Sequence, residues 1–239
     1  PGRIVGGEIL FKGTDLTTLP AAEIQKMRGS RIAMIFQDPM MTLNPVLRIE
    51  TQMIEAIQTH DSSVSKDEAR QRSRDALGLV GISSPDERMR AYPHQFSGGM
   101  RQRVSIAIAM LNRPDLIIAD EPTTALDVTI QGQVIHEMQK LCKKTKTALL
   151  WITHDLAVVA GISSRICVMY AGRIVEQGPN EALIGSPMHP YTSGLLGSVP
   201  SKNRWREPLQ QIEGIVPSLP DLPPGCALEN RRSHAAAAC

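Results

Sequence analysis

Long apolar runs and an excess of charge of either sign are both absent from this sequence of 239 residues. The most apolar stretches, Ser105 to Leu111 and Leu116 to Ala119, are far shorter than the roughly 20 residues that a helix needs to cross a bilayer. Lysine and arginine number 26 against 24 aspartates and glutamates, which leaves a net charge of +2. We therefore expect no membrane-spanning segment and no nucleic acid partner.

Cysteine is also scarce. The four cysteines, at positions 142, 167, 226 and 239, are too few and too scattered for a disulfide framework in a chain of this length. The sequence begins at Pro1 without a methionine or a charged-then-apolar leader. These features predict a cytosolic protein and a fragment of a longer chain, while the hydrophobic fraction of 42% is enough for a sizeable core.

Short apolar stretches alternate with helical patterns along the chain. Gly6 to Gly13 reads as a strand that turns at Gly13, and four further stretches read as strands: Arg31 to Phe36, Leu116 to Asp120, Ala148 to Thr153 and Arg165 to Tyr170. Helical spacing of apolar residues marks three ranges: 51–81, 100–112 and 128–144. This alternation predicts an α/β fold with a parallel sheet covered on both faces.

An acidic pair, Asp120 and Glu121, ends the strand that starts at Leu116. The carboxyl edge of the sheet is where open α/β folds bind ligands. Because successive strand residues point to opposite sides, Asp120 would face a magnesium ion and Glu121 an attacking water. A strand that ends in a charged turn has the same pattern, so the pair alone leaves both interpretations open.

Ser97, Gly98 and Gly99 stand immediately before a predicted helix. Glycine lets backbone N–H groups approach a ligand closely, and a helix start adds partial positive charge, so phosphate would fit here. An ordinary helix cap has the same three residues.

Two more polar residues follow strands. Gln37 could coordinate magnesium and polarise water through its amide, and the imidazole of His154 could reach a transferring phosphoryl group. Each residue alone is also compatible with a purely structural role.

The order of these features strongly resembles the motif set of ABC ATPases. By this resemblance each residue has a role: Gln37 in the Q-loop, Phe96 to Met100 as the signature, Asp120 as the Walker B acid, Glu121 as the catalytic base, Asp127 as the D-loop acid and His154 as the switch histidine. Phe96 and Met100 replace the Leu and Gln of the common signature, but its serine and glycines are kept.

The resemblance implies ATP and Mg²⁺ as ligands, with Gln37 and Asp120 contacting the metal. It also implies a sandwich of two ATPase chains, identical or related, in which Ser97, Gly98 and Gly99 of one chain contact the γ-phosphate held by the other. Four segments follow from it: a nucleotide-binding core with antiparallel strands (1–40), a helical subdomain (41–95), the core that runs from the signature to the switch histidine (96–178) and a C-terminal extension (179–239).

The phosphate-binding loop of such an ATPase is missing from this sequence. No Gly-x-x-x-x-Gly-Lys-Ser/Thr occurs, although this loop cradles the phosphates with its N–H groups and lysine. In the family it precedes the strand pair that starts here near Gly7, so we expect the natural chain to extend upstream of Pro1. We expect the chain as given to bind ATP poorly and to be inactive. Comparing its nucleotide affinity with that of an N-terminally extended version would test this expectation.

The segment Phe36 to Pro45 closely resembles the ATPase subunits of bacterial dipeptide and oligopeptide importers, as do Asp120 to Thr129 and His189 to Thr192. This resemblance implies a peripheral subunit on the cytoplasmic face of the inner membrane, bound to permease subunits that receive peptides from a solute-binding protein. Import of nickel or glutathione by related systems, a non-transport ABC protein and a fragment that acts only as an interaction module are the alternatives.

The C-terminal segment relates to a cysteine motif that can hold an iron–sulfur cluster in this importer group. Cys226 and Cys239 are in register with that motif, but Arg232 stands at its second cysteine position and Asn230 replaces its proline. Cluster ligation normally takes four thiolates, so we expect no intact cluster in this chain.

Overall fold

The computed structural model describes residues 3–124, 126–199, 212–218, 220, 222–223 and 225–231. Contacts divide the chain into two compact units, Pro1–Ile152 and Thr153–Cys239. The first unit contains a parallel sheet with helices, and the second contains an antiparallel hairpin with short helices. The boundaries of the four segments predicted from the sequence do not coincide with the boundary between these two units, and the four segments stay a prediction.

The first unit begins with a short hairpin of β1 (Leu10–Phe11) and β2 (Thr14–Asp15). Gly13 lies in its turn with a φ of 83°, a conformation that is accessible to glycine because it has no Cβ. The turn is where the sequence predicted it, but β1 is shorter than the predicted strand because the pairing with β2 involves Leu10 and Phe11 alone. Helix α1 (Ala21–Met27) follows.

Three parallel strands form the central sheet: β3 (Ile32–Ile35), β4 (Leu116–Asp120) and β5 (Ala148–Ile152). β4 lies between the other two, and the register places Met34 beside Ile118 and Ile118 beside Leu150. These strands and their parallel pairing confirm the predicted α/β class.

The helices between β3 and β4 begin with α2 (Ile49–Gln58), α3 (Lys66–Leu79) and α4 (Pro85–Met89). The side chain of Ser65 accepts the N–H of Glu68 and caps α3. Met53 of α2 and Leu77 of α3 are fully buried in the same hydrophobic core as the sheet.

Helices α5 (Gly98–Met110) and α6 (Val128–Thr145) bury one side of the sheet, which we call the closed face. On the closed face Ala33, Ile35, Ile117 and Ala119 are between 0% and 4% exposed. Because side chains alternate along a strand, the residues between them point to the opposite side.

That opposite side, the open face, is only partly covered by the residues that the structure describes. Met34, Leu150 and Ile152 are 39%, 52% and 45% exposed there. Among the described residues, the expectation of a sheet covered on both faces therefore holds fully for the closed face alone, because α5 and α6 both contribute to the core on that side.

The second unit contains α7 (Leu156–Ile162) and an antiparallel hairpin of β6 (Arg165–Tyr170) and β7 (Arg173–Pro179), followed by α8 (Asn180–Gly185) and α9 (Pro190–Gly197). The carboxylate of Glu176 in β7 accepts the N–H groups of Met188 at 2.7 Å and His189 at 3.1 Å. These bonds hold the start of α9 against the hairpin.

Arg231 connects the described part of the C-terminal segment to this hairpin. Arg231 donates to the carbonyls of Glu213 at 2.7 Å and Ile212 at 3.1 Å, and its guanidinium lies 5.8 Å from the ring centroid of Tyr170.

Over the described ranges, no helix has the length and apolar character needed to cross a membrane.

Candidate functional site

Two polar side chains from separate strands meet at the carboxyl edge of the sheet. Gln37 follows β3, and Glu121 follows β4. Nε2 of Gln37 donates a hydrogen bond to Oε2 of Glu121 at 2.9 Å. The parallel order of the strands places their carboxyl ends side by side, which is why residues so distant in sequence come into contact.

Glu121 has an unusual backbone conformation. Its φ is 44°, in the left-handed region, and its N–H donates to the carbonyl of Ile152 in β5 at 2.9 Å. A non-glycine residue at such a φ costs roughly 1–2 kcal/mol, so the surrounding contacts must hold it there. Asp120 is the last residue of β4, paired with Ile152. The strand alternation on which the sequence prediction relied therefore stops at Asp120, and a turn sets the direction of Glu121.

That turn continues to Thr124, which was not among the predicted site residues. Oγ1 of Thr124 donates to Oε2 of Glu121 at 3.2 Å. Thr123 is buried, and its hydroxyl accepts a hydrogen bond from Gln131 of α6 at 3.1 Å. Glu121 thus extends from a turn whose next residues are held against α6.

The predicted anion-binding residues form the start of α5. Ser97 is the N-cap and accepts the N–H of Met100 at 3.3 Å. A Cβ on Gly99 would lie 3.1 Å from Cδ2 of Leu126, so a glycine at this position makes room for the loop after Glu121. Gly98, in contrast, has open space around it. Asp127 caps α6 by accepting the N–H of Ile130 at 3.0 Å.

Gln102 of α5 is a second residue that the sequence prediction missed. Its side chain is 1% exposed, and Nε2 donates to the carbonyl of Phe36 at 3.3 Å, one residue before Gln37. The available signal was a glutamine within a helix that buries Val104 and Ile106. A polar residue at a core position needs a hydrogen-bond partner and therefore indicates a specific contact.

The remaining predicted residues lie in the second unit. His154 stands between β5 and α7, and Asp155 caps α7 by accepting the N–H of Ala157 at 2.9 Å. Cys226 has a free thiol, and Cys239 lies outside the described residues. Within the described part of the chain, no cluster of three or more His, Cys, Asp or Glu side chains could hold a metal ion.

The donors at the sheet edge have the chemistry that magnesium prefers. Asp120 offers carboxylate oxygens and Gln37 an amide oxygen, both hard ligands. Magnesium is commonly held by one or two protein groups together with water and substrate phosphates, so this small donor set fits a metal that arrives with a nucleotide.

Comparison with known proteins identifies two family regions. Residues 3–124 match the ABC transporter family, and residues 175–239 match the C-terminal region of oligopeptide/dipeptide transporters. The oligopeptide transport ATP-binding protein OppD of Bacillus subtilis is 49% identical over 98% of this chain, and the dipeptide transport ATP-binding protein DppD of the same species is 47% identical over 99%. The chain spans 66% of the length of the first relative and 70% of the second.

Solved structures agree with this assignment. The dimeric structure of MJ0796, a bacterial ABC transporter cassette, has a TM-score of 0.68 and 27% identity, with 74% of each chain covered. A post-hydrolysis dimer of the same cassette, bound to ADP and Pi, has a TM-score of 0.68 and 26% identity over the same share of each chain. The chain belongs to the ABC transporter family of ATP-binding proteins, in the group that carries the oligopeptide/dipeptide transporter C-terminal region.

Proposed function

We propose that this chain is the larger part of an ATPase subunit that energises the import of dipeptides or oligopeptides. The observation that carries this proposal is the contact between Gln37 and Glu121 at the carboxyl edge of the parallel sheet. An amide and a carboxylate held there by two adjacent strands can orient a water molecule. The relatives that are 47% to 49% identical are named as peptide transport proteins, which supports the substrate class.

In the proposed reaction, water attacks the γ-phosphorus of ATP while Glu121 accepts the proton of the water. The bond between the γ-phosphorus and the bridging oxygen breaks, and ADP and inorganic phosphate leave. His154 contacts the transferring phosphoryl group. Asp120 and Gln37 would hold magnesium, which would supply positive charge beside the phosphate oxygens.

The site is completed by a second ATPase chain. We propose that Ser97, Gly98 and Gly99 contact the γ-phosphate of the nucleotide bound by the partner, and that Asp127 lies at the same interface. A helix start stabilises negative charge with unpaired N–H groups. Since each site would need residues from both chains, ATP would be hydrolysed only when the dimer has closed.

The phosphate-binding loop is not within residues 1–239. We propose that the complete subunit packs the helix of that loop against the open face of the sheet, where Met34 and Leu150 are exposed. Burying an apolar side chain contributes about 1.5–3 kcal/mol, so this face would stabilise the loop that it holds.

We further propose a peripheral position on the cytoplasmic face of the inner membrane, with permease subunits as direct partners and a solute-binding protein as an indirect one. The exposed side chains of Met41 and Val46, 71% and 74% exposed, follow Gln37 and offer apolar contacts to a membrane subunit. Contact there would link permease movement to Gln37.

The proposal is tested by Glu121→Gln in the complete subunit assembled with its permease. The amide cannot accept the proton of the attacking water, so we expect ATP to bind normally while turnover falls about 10²- to 10⁴-fold. Steady-state ATP hydrolysis and nucleotide binding are the measurements. Glu55→Gln, at an exposed position of α2, is the matched control. Near-normal hydrolysis by the Glu121 variant would remove this residue from its role.

A further inference from the structure

The turn that contains Glu121 also contains a hydroxyl group that contacts its carboxylate. The N–H of Thr124 donates to the carbonyl of Glu121 at 3.3 Å, and Oγ1 of Thr124 donates to Oε2 of Glu121 at 3.2 Å. A backbone bond and a side-chain bond therefore join the same two residues. The position of the hydroxyl relative to the carboxylate depends on one short turn, not on distant packing.

This turn is held against the body of the first unit. Pro122 and Thr123 are buried, and Gln131 of α6 donates to the hydroxyl of Thr123 at 3.1 Å. The ring of Pro122 restricts its own φ. Glu121 itself keeps a φ of 44°. Strained residues that are fixed by their surroundings are concentrated at functional sites, where the strain serves to aim a side chain.

Gln37 donates to the same carboxylate oxygen as Thr124, but it belongs to a different segment. Under the proposed function its amide also serves the metal and the attacking water, so its bond to Glu121 would be exchanged during the catalytic cycle. Thr124 lies on the same turn as Glu121 and moves with it. Its hydroxyl can therefore hold the carboxylate after Gln37 has changed partners.

We propose that Thr124 is a positioning residue for the hydrolysis step, which keeps the carboxylate of Glu121 aimed at the attacking water. This inference rests on the proposed function, in which Glu121 is the general base. Thr124 neither accepts the proton of the water nor touches the phosphate in this role. Its contribution is to restrict the orientation of Glu121, because a well-oriented base spends more of its time in the reactive geometry.

The test is Thr124→Val in the complete subunit assembled with its partner and permease. Valine keeps the branched shape and removes the hydroxyl, and because Thr124 is exposed the change should not impair folding. We expect kcat to fall about 10-fold, the effect of losing one hydrogen bond to a charged group, with KM for ATP within about twofold of wild type. Thr124→Ser retains the hydroxyl and should stay within about threefold of the wild-type kcat.

Thr17→Val is the matched control. Thr17 is also exposed, and its hydroxyl also donates to a carboxylate in its own turn, that of Asp15 at 2.8 Å. This variant should hydrolyse ATP at the wild-type rate. A loss of activity equal to that of the Thr124 variant would overturn the inference, because it would show a general sensitivity to lost surface hydroxyls.

A double variant separates positioning from a structural effect. In single-turnover measurements, Thr124→Val added to Glu121→Gln should cause no further loss, since the base that Thr124 positions is already gone. A further 10-fold loss, or a wild-type kcat for Thr124→Val alone, would overturn the positioning role. If Glu121→Gln alone retains normal turnover, the proposed function fails; if it loses turnover while Thr124→Val is normal, only this inference fails.

Discussion

The two faces of the central sheet come from the same strands but have different surroundings. On the closed face, Ile35 and Ile117 are fully buried against α5, α6 and the helices between β3 and β4. On the open face, Leu150 and Ile152 remain about half exposed although they are just as apolar. The difference shows that hydrophobic side chains in a strand predict burial only when the chain also provides an element to cover them.

The largest effect that would sharpen this comparison is expected from Ile117→Ala on the closed face. Removing a fully buried isoleucine leaves a cavity, and we expect the free energy of unfolding to fall by about 2–5 kcal/mol. Urea unfolding followed by circular dichroism measures this change. A loss below about 1 kcal/mol would mean that the closed face is not tightly packed in solution.

Ile152→Ala makes the same chemical change on the neighbouring strand, on the open face. Because Ile152 is 45% exposed, we expect a loss of about 1 kcal/mol in the same urea experiment. A loss as large as that of the Ile117 variant would break the comparison, since it would show that the open face is covered in solution, for example by a second copy of the chain. Sedimentation of both variants at several protein concentrations distinguishes this case.

The smallest effect is expected at the edge where the strands enter the sheet. Asp115 precedes β4, and its carboxylate pairs with Lys12 of the first hairpin and with Arg31. The hydrogen bond from Lys12, followed by that from Arg31, lowers the pKa of Asp115 from its ordinary value of 3.8. Since these groups are partly exposed, we expect Asp115→Asn to lower the free energy of unfolding by less than about 1 kcal/mol at pH 7.

The pH dependence of this variant gives its own check. A carboxylate with a lowered pKa in the folded state stabilises the fold above its unfolded pKa, and the stabilisation is lost as pH falls through the folded pKa. The difference between wild type and Asp115→Asn should therefore be constant near neutral pH and shrink below about pH 4. A difference that persists unchanged at pH 3 would show that the ion pairs do not cause it.

The placement of several candidate site residues could be predicted from the sequence because these residues stand at the ends of apolar strands. The position of Gln37 after β3 and of Asp120 at the end of β4 follows from strand patterns, and parallel strands bring their carboxyl ends together. Thr124 could not be assigned a role in this way. Its hydroxyl contacts Glu121 in a turn where Glu121 has a positive φ. A positive φ at a glutamate cannot be predicted from the residue type.

Gln102 and Gly99 show that contacts made by packing also could not be predicted from the sequence. Both lie in or beside the signature, yet the bond from Gln102 to Phe36 and the room that Gly99 leaves for Leu126 depend on how α5 lies against other segments. Predicting hydrogen bonds between residues far apart in sequence requires knowing how the helices pack. The pattern of the helix itself indicates only that a polar side chain is buried and needs a partner.

The absence of a phosphate-binding loop, the α/β class and the ordered set of polar strand ends were determined by the sequence alone, because residue type and spacing are local properties. Only the tertiary structure decided that Gln37 reaches Glu121 and that, among the described residues, one face of the sheet is buried while the other is about half exposed. The physical reason is that a contact between distant residues depends on the relative placement of strands and helices, which packing determines after the local elements have formed.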